Sequence, residues 1–227
     1  MPVAPESRRP ALTPPARTFK RAVDVLVGGA LLVATLPIQA LTALAILLDD
    51  GSPVLYRQDR AGRHGAPFTV FKFRSMRVHQ ASPADIGQVG AGHPLITRVG
   101  RVIRRSKLDE VPQLWNVVRG SMSLVGPRPA LRESAATYDG YQRRRLLVRP
   151  GMTGWGQVNG GPTVSWDDRI VLDVWYVDHW SPWLDLRILL LTLSVILLGE
   201  RPRPEAIAQA RSHEAEERAA TATSVST

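Results

Sequence analysis

The stretch VLVGGALLVATLPIQALTALAILL, Val25 to Leu48, decides how the rest of the chain is read. It holds one amide, Gln39, and no charge. As a straight helix it would be roughly 36 Å long, enough to cross a bilayer. A cleaved signal peptide fits less well, because the run is long, begins late and is followed by no A-x-A-like site. Pro37 sits in its middle, where it removes a backbone hydrogen bond and bends the helix. Both flanks are basic. Arg17, Lys20 and Arg21 precede the run; Arg57, Arg60, Arg63, Lys72 and Arg74 follow it. Positive charge at both ends gives a span no preferred direction. The residues leave two readings open: a single span, or a kinked helix that dips into one leaflet and returns.

Outward from this run, a second apolar stretch lies at Trp180–Gly199. Its uncharged part, Ile188 to Gly199, is too short to span. Asp185 and Arg187 make its start amphipathic, and Trp166, Trp175, Tyr176, Trp180 and Trp183 crowd the approach. Those aromatics suit either a core or a helix lying in the membrane interface. Between the two apolar stretches, SPVLYRQ and FTVFKFRSM read as strands joined by the Gly-rich DRAGRHGA. Leu108–Val118, Leu131–Arg145 and Trp166–His179 read as helices. The order does not alternate as a doubly wound sheet would. The expected fold is α+β and mostly helical, with a small β-hairpin. The expected organisation is a disordered tail over 1–17, the membrane helix over 18–50, a catalytic domain over 51–200 and a tail over 201–227 that holds at most a frayed helix.

The chain has 227 residues, a formal net charge of +9 and no cysteine. Thiolate chemistry and disulfides are excluded, and an anionic partner is implied: nucleic acid, anionic lipid or a phosphorylated substrate. Within this basic chain stands RRSKLDEVPQLWNVVRGSMSLVGPRP, Arg104 to Pro129, with the adjacent carboxylates Asp109 and Glu110. One reading is structural. Asp109 caps a helix with Pro112 at its third position, and Glu110 faces the helix dipole. Ser106 to Asp109 also fits a capping box. The chemical reading has one carboxylate attack phosphorus while its neighbour holds Mg²⁺ together with substrate phosphates. Pro127 and Pro129 stiffen the backbone around Arg128, which suits a guanidinium that grips an oxyanion. Lys72, Arg74, Arg104 and Arg105 add cations. GQVGAGHP, Gly87 to Pro94, matches neither phosphate-loop fingerprint, and the histidines show no metal-ligand spacing.

Taken together, GSPVLYRQDRAG, FTVFKFRSM, LDEVPQLWNVVRGSMSLVGPRP, RPGMTGWGQVNG and LDVWYVDHWSPWLDLRILLLTL resemble the monotopic polyprenyl-phosphate phosphoglycosyl transferases, the bacterial sugar transferase family, in its minimal form. The resemblance covers roughly Phe19 to Gly199. It implies transfer of a sugar-1-phosphate from a nucleoside diphosphate sugar, by default a UDP-hexose, to polyprenyl (undecaprenyl) phosphate. UMP would be released and exopolysaccharide or another surface glycan begun. By position, Asp109 would be the nucleophile and form an aspartyl-phosphosugar intermediate, and Glu110 would bind Mg²⁺. Lys72, Arg74, Arg104 and Arg128 would handle phosphates. Pro37 would break a re-entrant helix, putting the catalytic domain on the cytoplasmic face of the membrane among its lipids. No nucleic-acid partner is expected, and a homodimer is left open.

Three positions depart from the family pattern. Leu36 stands where many members have Ser before the kink proline, so the partners of the kink's freed backbone groups are in question. Ser121 replaces an Asp and Gly161 replaces an Arg. Two other classes compete. An inactive membrane scaffold predicts membrane binding without nucleotide release. A basic nucleic-acid or anionic-lipid binder explains the charge but not the acidic pair, and no nucleic-acid motif is present.

Overall fold

Pro14 and Pro15 open the first helix, where a missing N–H has no partner to lose. A computed structural model describes residues 12–77 and 93–225 of the chain. Helix α1 runs over Pro14–Ala34 and α2 over Leu36–Asp50, and the two are bent by 55° at Thr35. Pro37 lies in the first turn of α2, which is why the chain breaks there rather than bending gently. The Thr35 hydroxyl donates to the Leu31 carbonyl at 2.6 Å, and the Gln39 amide donates to Thr35 Oγ1 at 2.9 Å. The lone amide of the apolar run thus completes the kink, and Leu36 needs no hydroxyl. No single described helix is long and apolar enough to cross a membrane; the bent pair passes that test only together.

Three polar residues on one stripe of α1 stitch it to the rest of the chain. Arg21 donates to the Val117 and Val118 carbonyls, each at 2.6 Å. Lys20 pairs with Asp185, and Asp24 accepts from the Ser123 hydroxyl at 3.0 Å and the Leu124 N–H at 2.9 Å. Lys20 and Arg21 of the basic flank before the run are therefore spent inside the protein. The opposite side of the bent pair leaves Leu26, Val33, Leu41, Leu44 and Leu48 exposed.

The expected hairpin is present. Strands β1 (Leu55–Ala61) and β2 (Pro67–Phe73) pair antiparallel, with Leu55 opposite Phe73 and Ala61 opposite Pro67. A 3₁₀ turn at Arg63–Gly65 closes it. Helix α3 (Arg98–Arg105) is capped by Thr97, whose hydroxyl accepts from the Gly100 N–H. Helix α4 (Gln113–Arg119) ends at Gly120, which takes φ 88°. A second, parallel pair escaped the sequence reading: β3 (Ser123–Val125) with β4 (Gly151–Thr153). Three residues per strand carry too little alternation to register.

Helices α5 (Arg132–Ala136), α6 (Trp155–Val158), α7 (Trp166–Asp178), α8 (Pro182–Leu198) and α9 (Pro204–Val225) complete the chain. The core lies along α7, where Leu172, Val174, Tyr176 and Val177 pack with Met122, Val125 and Val158. Of the aromatics around the start of α8, Tyr176 and Trp180 are core, while Trp166 and Trp183 are exposed. Helix α8 buries Leu184 and Ile188 and exposes Leu190, Leu193, Leu197 and Leu198, one apolar face without a protein partner among the described residues.

Four expectations are corrected. Leu108–Val118 is not one helix, because a 3₁₀ turn at Leu108–Glu110 precedes α4. Leu131–Arg145 is also broken. Asp139 accepts from the Gln142 N–H at 2.7 Å, a local turn that competes with helix, and a 3₁₀ segment follows at Gln142–Leu147. The N-terminal tail ends earlier than Arg17, since Leu12 is buried and α1 starts at Pro14; residues 1–11 lie outside the described residues, as does most of the Gly-rich stretch at 87–92. The segment after Arg201 forms α9, with Ala210 buried in the core; it pairs with Asp168 of α7 through Arg211, and with the segment before α7 through Arg144–Glu217 and Arg218–Asp139.

Removing the Asp24 carboxylate strands two buried donors. Asp24→Ala should lower stability by about 2 kcal/mol or more, read as a fall in Tm of the detergent-solubilised protein. Asp24→Asn should lose less, because its amide oxygen still accepts.

Candidate active site

The dyad sits on a reversal. Helix α3 stops at Ser106, and Lys107 turns the chain in the left-handed region at φ 59°, ψ 13°. The Glu110 N–H then donates to the Lys107 carbonyl at 3.2 Å, closing the 3₁₀ turn that carries Asp109 and Glu110. Ser106 bonds back to the Val102 carbonyl at 2.9 Å, so it ends α3 and forms no capping box. The N-cap of α4 is Pro112, not Asp109. The structural reading of Asp109 as a helix cap therefore fails.

The electrostatics agree with the geometry. An N-cap carboxylate has its pKa lowered by the helix. That of Asp109 is instead raised to about 6, by burial first and then by the Glu110 charge, against the pull of Lys72, Arg104 and Lys107. Glu110 goes the other way. Burial pushes it up, but Arg128 and Lys72 override that and hold it well below the usual carboxylate range. Both cations bind the same oxygen: Lys72 Nζ lies 2.8 Å and Arg128 Nη2 2.7 Å from Glu110 Oε1. Two adjacent acids are thus split into one firmly ionised group and one whose ionisation is poised near neutrality.

Each cation is set by backbone anchors. Lys72 comes from β2, which is tied to α4 by Asn116: its amide donates to the Thr69 carbonyl at 2.7 Å, and its oxygen accepts from the Phe71 N–H at 3.2 Å. Ser121 joins this knot, its hydroxyl 3.2 Å from the Asn116 carbonyl, so the departure at 121 retains a contact. Arg128 stands on the loop after β3. Its carbonyl accepts from Arg145 Nη2 at 2.9 Å, and the Pro129 carbonyl accepts from Arg60 at 3.3 Å. Arg145 is buried against Asp173, with its Nη2 2.5 Å from Asp173 Oδ2, and it faces the Tyr138 and Trp166 rings.

The sequence-derived set is only partly assembled. Asp109, Glu110, Lys72 and Arg128 converge, and the charge of Arg104 reaches Asp109. Arg74 does not join them. It is buried and donates to the Asp50, Gly51 and Ser52 carbonyls, clamping the end of α2, and it pairs with Asp50 at 3.2 Å. Residues two apart on a strand share a face, but β2 ends at Phe73, and Arg74 turns to the carbonyls at the end of α2. Asn116, Arg145, Asp173 and Lys107 were missed. Arg145 is the third of three arginines in a row, which reads as a solvated charge run. Gly161 has φ 50°, and a Cβ there would lie 3.4 Å from the Glu200 carboxyl.

Among the described residues no group of three or more His, Asp or Glu is placed to hold a metal ion. Among the described residues, the turn presents the adjacent carboxylates Asp109 and Glu110 as donors. Two carboxylates fit a Mg²⁺ that takes its remaining ligands from substrate phosphates and water, and do not fit an all-protein cage.

The sequence profile described as "Bacterial sugar transferase" matches residues 15–199. The chain belongs to the bacterial sugar transferase family. This transferase is 44% identical over 182 residues to "Uncharacterized sugar transferase EpsL" of Bacillus subtilis, covering 80% of this chain and 89% of that protein. It is 45% identical over 186 residues to "Undecaprenyl-phosphate glucose phosphotransferase" of Komagataeibacter xylinus, covering 77% of this chain but 35% of that protein. Against "UDP-glucose:undecaprenyl-phosphate glucose-1-phosphate transferase" of Caulobacter vibrioides the identity is 42% over 190 residues, covering 78% and 69%. The transferase thus spans nearly all of one relative and about a third of another. Helix α9 lies beyond the matched residues.

The Asp109 pKa carries a stability cost. Folding raises it from 3.8 to about 6, so ionisation opposes folding; the penalty is absent below pH 3.8, grows through this window and is complete above it. Asp109→Asn removes it. The variant should be more stable than the parent at pH 7.5 by on the order of 1–3 kcal/mol, with the difference closing toward pH 4, as measured by denaturant unfolding.

Proposed function

We propose that the chain transfers a sugar-1-phosphate from a nucleoside diphosphate sugar to polyprenyl phosphate, with Asp109 as nucleophile. The carrying observation is the split dyad. Glu110 is locked as an anion by Lys72 and Arg128, while Asp109 caps nothing and keeps a raised pKa near 6. Relatives named as undecaprenyl-phosphate glucose phosphotransferases support the same class of donor and acceptor.

In the first step an Asp109 carboxylate oxygen attacks the β-phosphorus of the donor. The bond from that phosphorus to the bridging oxygen breaks, and the nucleoside monophosphate leaves with the electron pair. An acyl-phosphate links Asp109 to the sugar phosphate. In the second step an oxygen of polyprenyl phosphate attacks the same phosphorus, the bond from that phosphorus to the Asp109 oxygen breaks, and the carboxylate is regenerated as polyprenyl-diphosphate-sugar departs. Arg128 and Lys72 supply positive charge where the phosphoryl oxygens gather. Arg145, through the Arg128 carbonyl, keeps that guanidinium aimed. A Mg²⁺ held by Glu110 and the donor phosphates would screen the repulsion between an anionic nucleophile and an anionic substrate.

The bent pair α1–α2 and the exposed face of α8 support a membrane-seated enzyme. A re-entrant hairpin keeps both ends of the apolar run on one side, the cytoplasmic side in this reading, and sets the dyad near the headgroups where a lipid phosphate lies. A polyprenyl acceptor and a soluble donor can then meet at one face. The product would open the assembly of an exopolysaccharide or other surface glycan.

Full-length protein in nanodiscs, incubated with UDP-glucose or UDP-galactose without acceptor, should gain a sugar-phosphate mass on one residue. With polyprenyl phosphate it should release UMP. Asp109→Asn should abolish both signals; undiminished turnover in that variant would sink the mechanism. The free-enzyme kcat/KM should fall about tenfold per pH unit below pH 6, as Asp109 takes up its proton. Arg128→Lys should lower kcat/KM by roughly 10²-fold, with Tm little changed.

A further inference from the structure

We propose that Lys107 and Glu200 form an anion subsite at the rim of the dyad, in which the Glu200 carboxylate holds the place of a donor phosphate until substrate displaces it. This rests on the transferase reading above and adds a residue pair to it.

The first observation is conformational. Lys107 follows the C-cap of α3 in the left-handed region, at φ 59° and ψ 13°. Glycine takes this position without strain, whereas a lysine bears it. The strained residue stands two positions before Asp109, so its ammonium is delivered to the side of the nucleophile.

The second is the partner. Lys107 Nζ lies 2.8 Å from Glu200 Oε1, with 42% of the lysine side chain and 23% of the glutamate exposed. An ion pair this open contributes little to stability, because water screens it. It can therefore exchange one carboxylate for a more highly charged phosphate at small cost.

The third is how Glu200 gets there. It follows Gly199, at φ 82°, where α8 ends. The chain then crosses the Asn159–Gly161 loop, and the Arg203 N–H donates to the Asn159 carbonyl at 3.3 Å. With no side chain at Gly161, the space beside the Glu200 carboxyl stays open. Backbone bonds at Gly199 and Arg203, on either side of Glu200, thus help to bring it beside Lys107.

The charges of both residues are felt at the dyad. Lys107 is one of the cations pulling Asp109 down, and Glu200 is among the acids that raise Arg128, after Glu110 and Asp109. Displacing Glu200 removes a negative charge from the site and frees the N–H it occupies, so that all three ammonium N–H groups can turn to the non-bridging oxygens of the donor diphosphate.

Two variants in nanodisc-reconstituted full-length protein test this, with UDP-glucose and UDP-galactose as donors and UMP as a competitive inhibitor. Lys107→Gly removes the ammonium and the strain together. It should leave Tm equal or higher while raising donor KM tenfold or more, with the UMP inhibition constant rising in step. Glu200→Gln neutralises the internal competitor and should lower donor KM threefold or more. A fall in Tm for Lys107→Gly with unchanged KM, or a Glu200→Gln variant whose KM rises, overturns the subsite while wild-type turnover leaves the transferase reading intact. A wild-type protein that turns over no donor overturns both.

Discussion

One oxygen atom, Oε1 of Glu110, organises the molecule's chemistry. It receives Lys72 from the β-hairpin and Arg128 from the loop after β3, while the carboxylate itself stands on the turn between α3 and α4. Three segments far apart in sequence are thereby held to one point. A half-buried carboxylate needs such partners, since a lone buried charge is expensive. The arrangement answers why an acidic pair stands in so basic a chain: one acid gathers the cations, and the other is left poised beside them. The supports beneath are of the same kind, with Asn116 joining β2 to α4 and the buried Arg145–Asp173 pair gripping the backbone of Arg128.

The apolar hairpin is coupled to this centre through few atoms. Arg21 binds the carbonyls of Val117 and Val118 at the end of the helix that begins just after the dyad. Asp24 takes the Ser123 hydroxyl and the N–H of Leu124 on β3, the strand that leads to Pro127-Arg128-Pro129. From the far end, Arg74 clamps the last carbonyls of α2 to the strand that carries Lys72. The bent pair and the site are therefore joined by specific polar contacts rather than as an anchor and a cargo.

Much of this was legible in the residues, for physical reasons. The hairpin strands alternate, the long apolar run is unambiguous, and Pro37 marks the break within a residue or two. Asp109, Glu110 and Arg128 stand out because their neighbours are chemically unlike them. What escaped the sequence was decided by long-range geometry. Arg74 and Lys72 look equivalent two residues apart, yet one meets carbonyls and the other a carboxylate. Lys20 and Arg21 look like the basic flank of an apolar run and are instead internal fasteners. Asp109 looks like a helix cap because caps are local, and a single left-handed residue, Lys107, shifts the helix start to Pro112. Helix α9 was read as a tail because its composition is that of a solvated segment; its order comes from ion pairs with partners on and around α7.

The bend at Thr35 has a mechanical corollary. Its angle is fixed by a hydroxyl and an amide within the chain, so no work from surrounding lipid is needed to fold it. On the re-entrant reading proposed above, a bent pair of that kind would meet a bilayer as a preformed wedge. Acyl chains of one leaflet would then splay around it, and the resulting lateral stress would favour curved or loosely packed patches of membrane over flat, ordered ones.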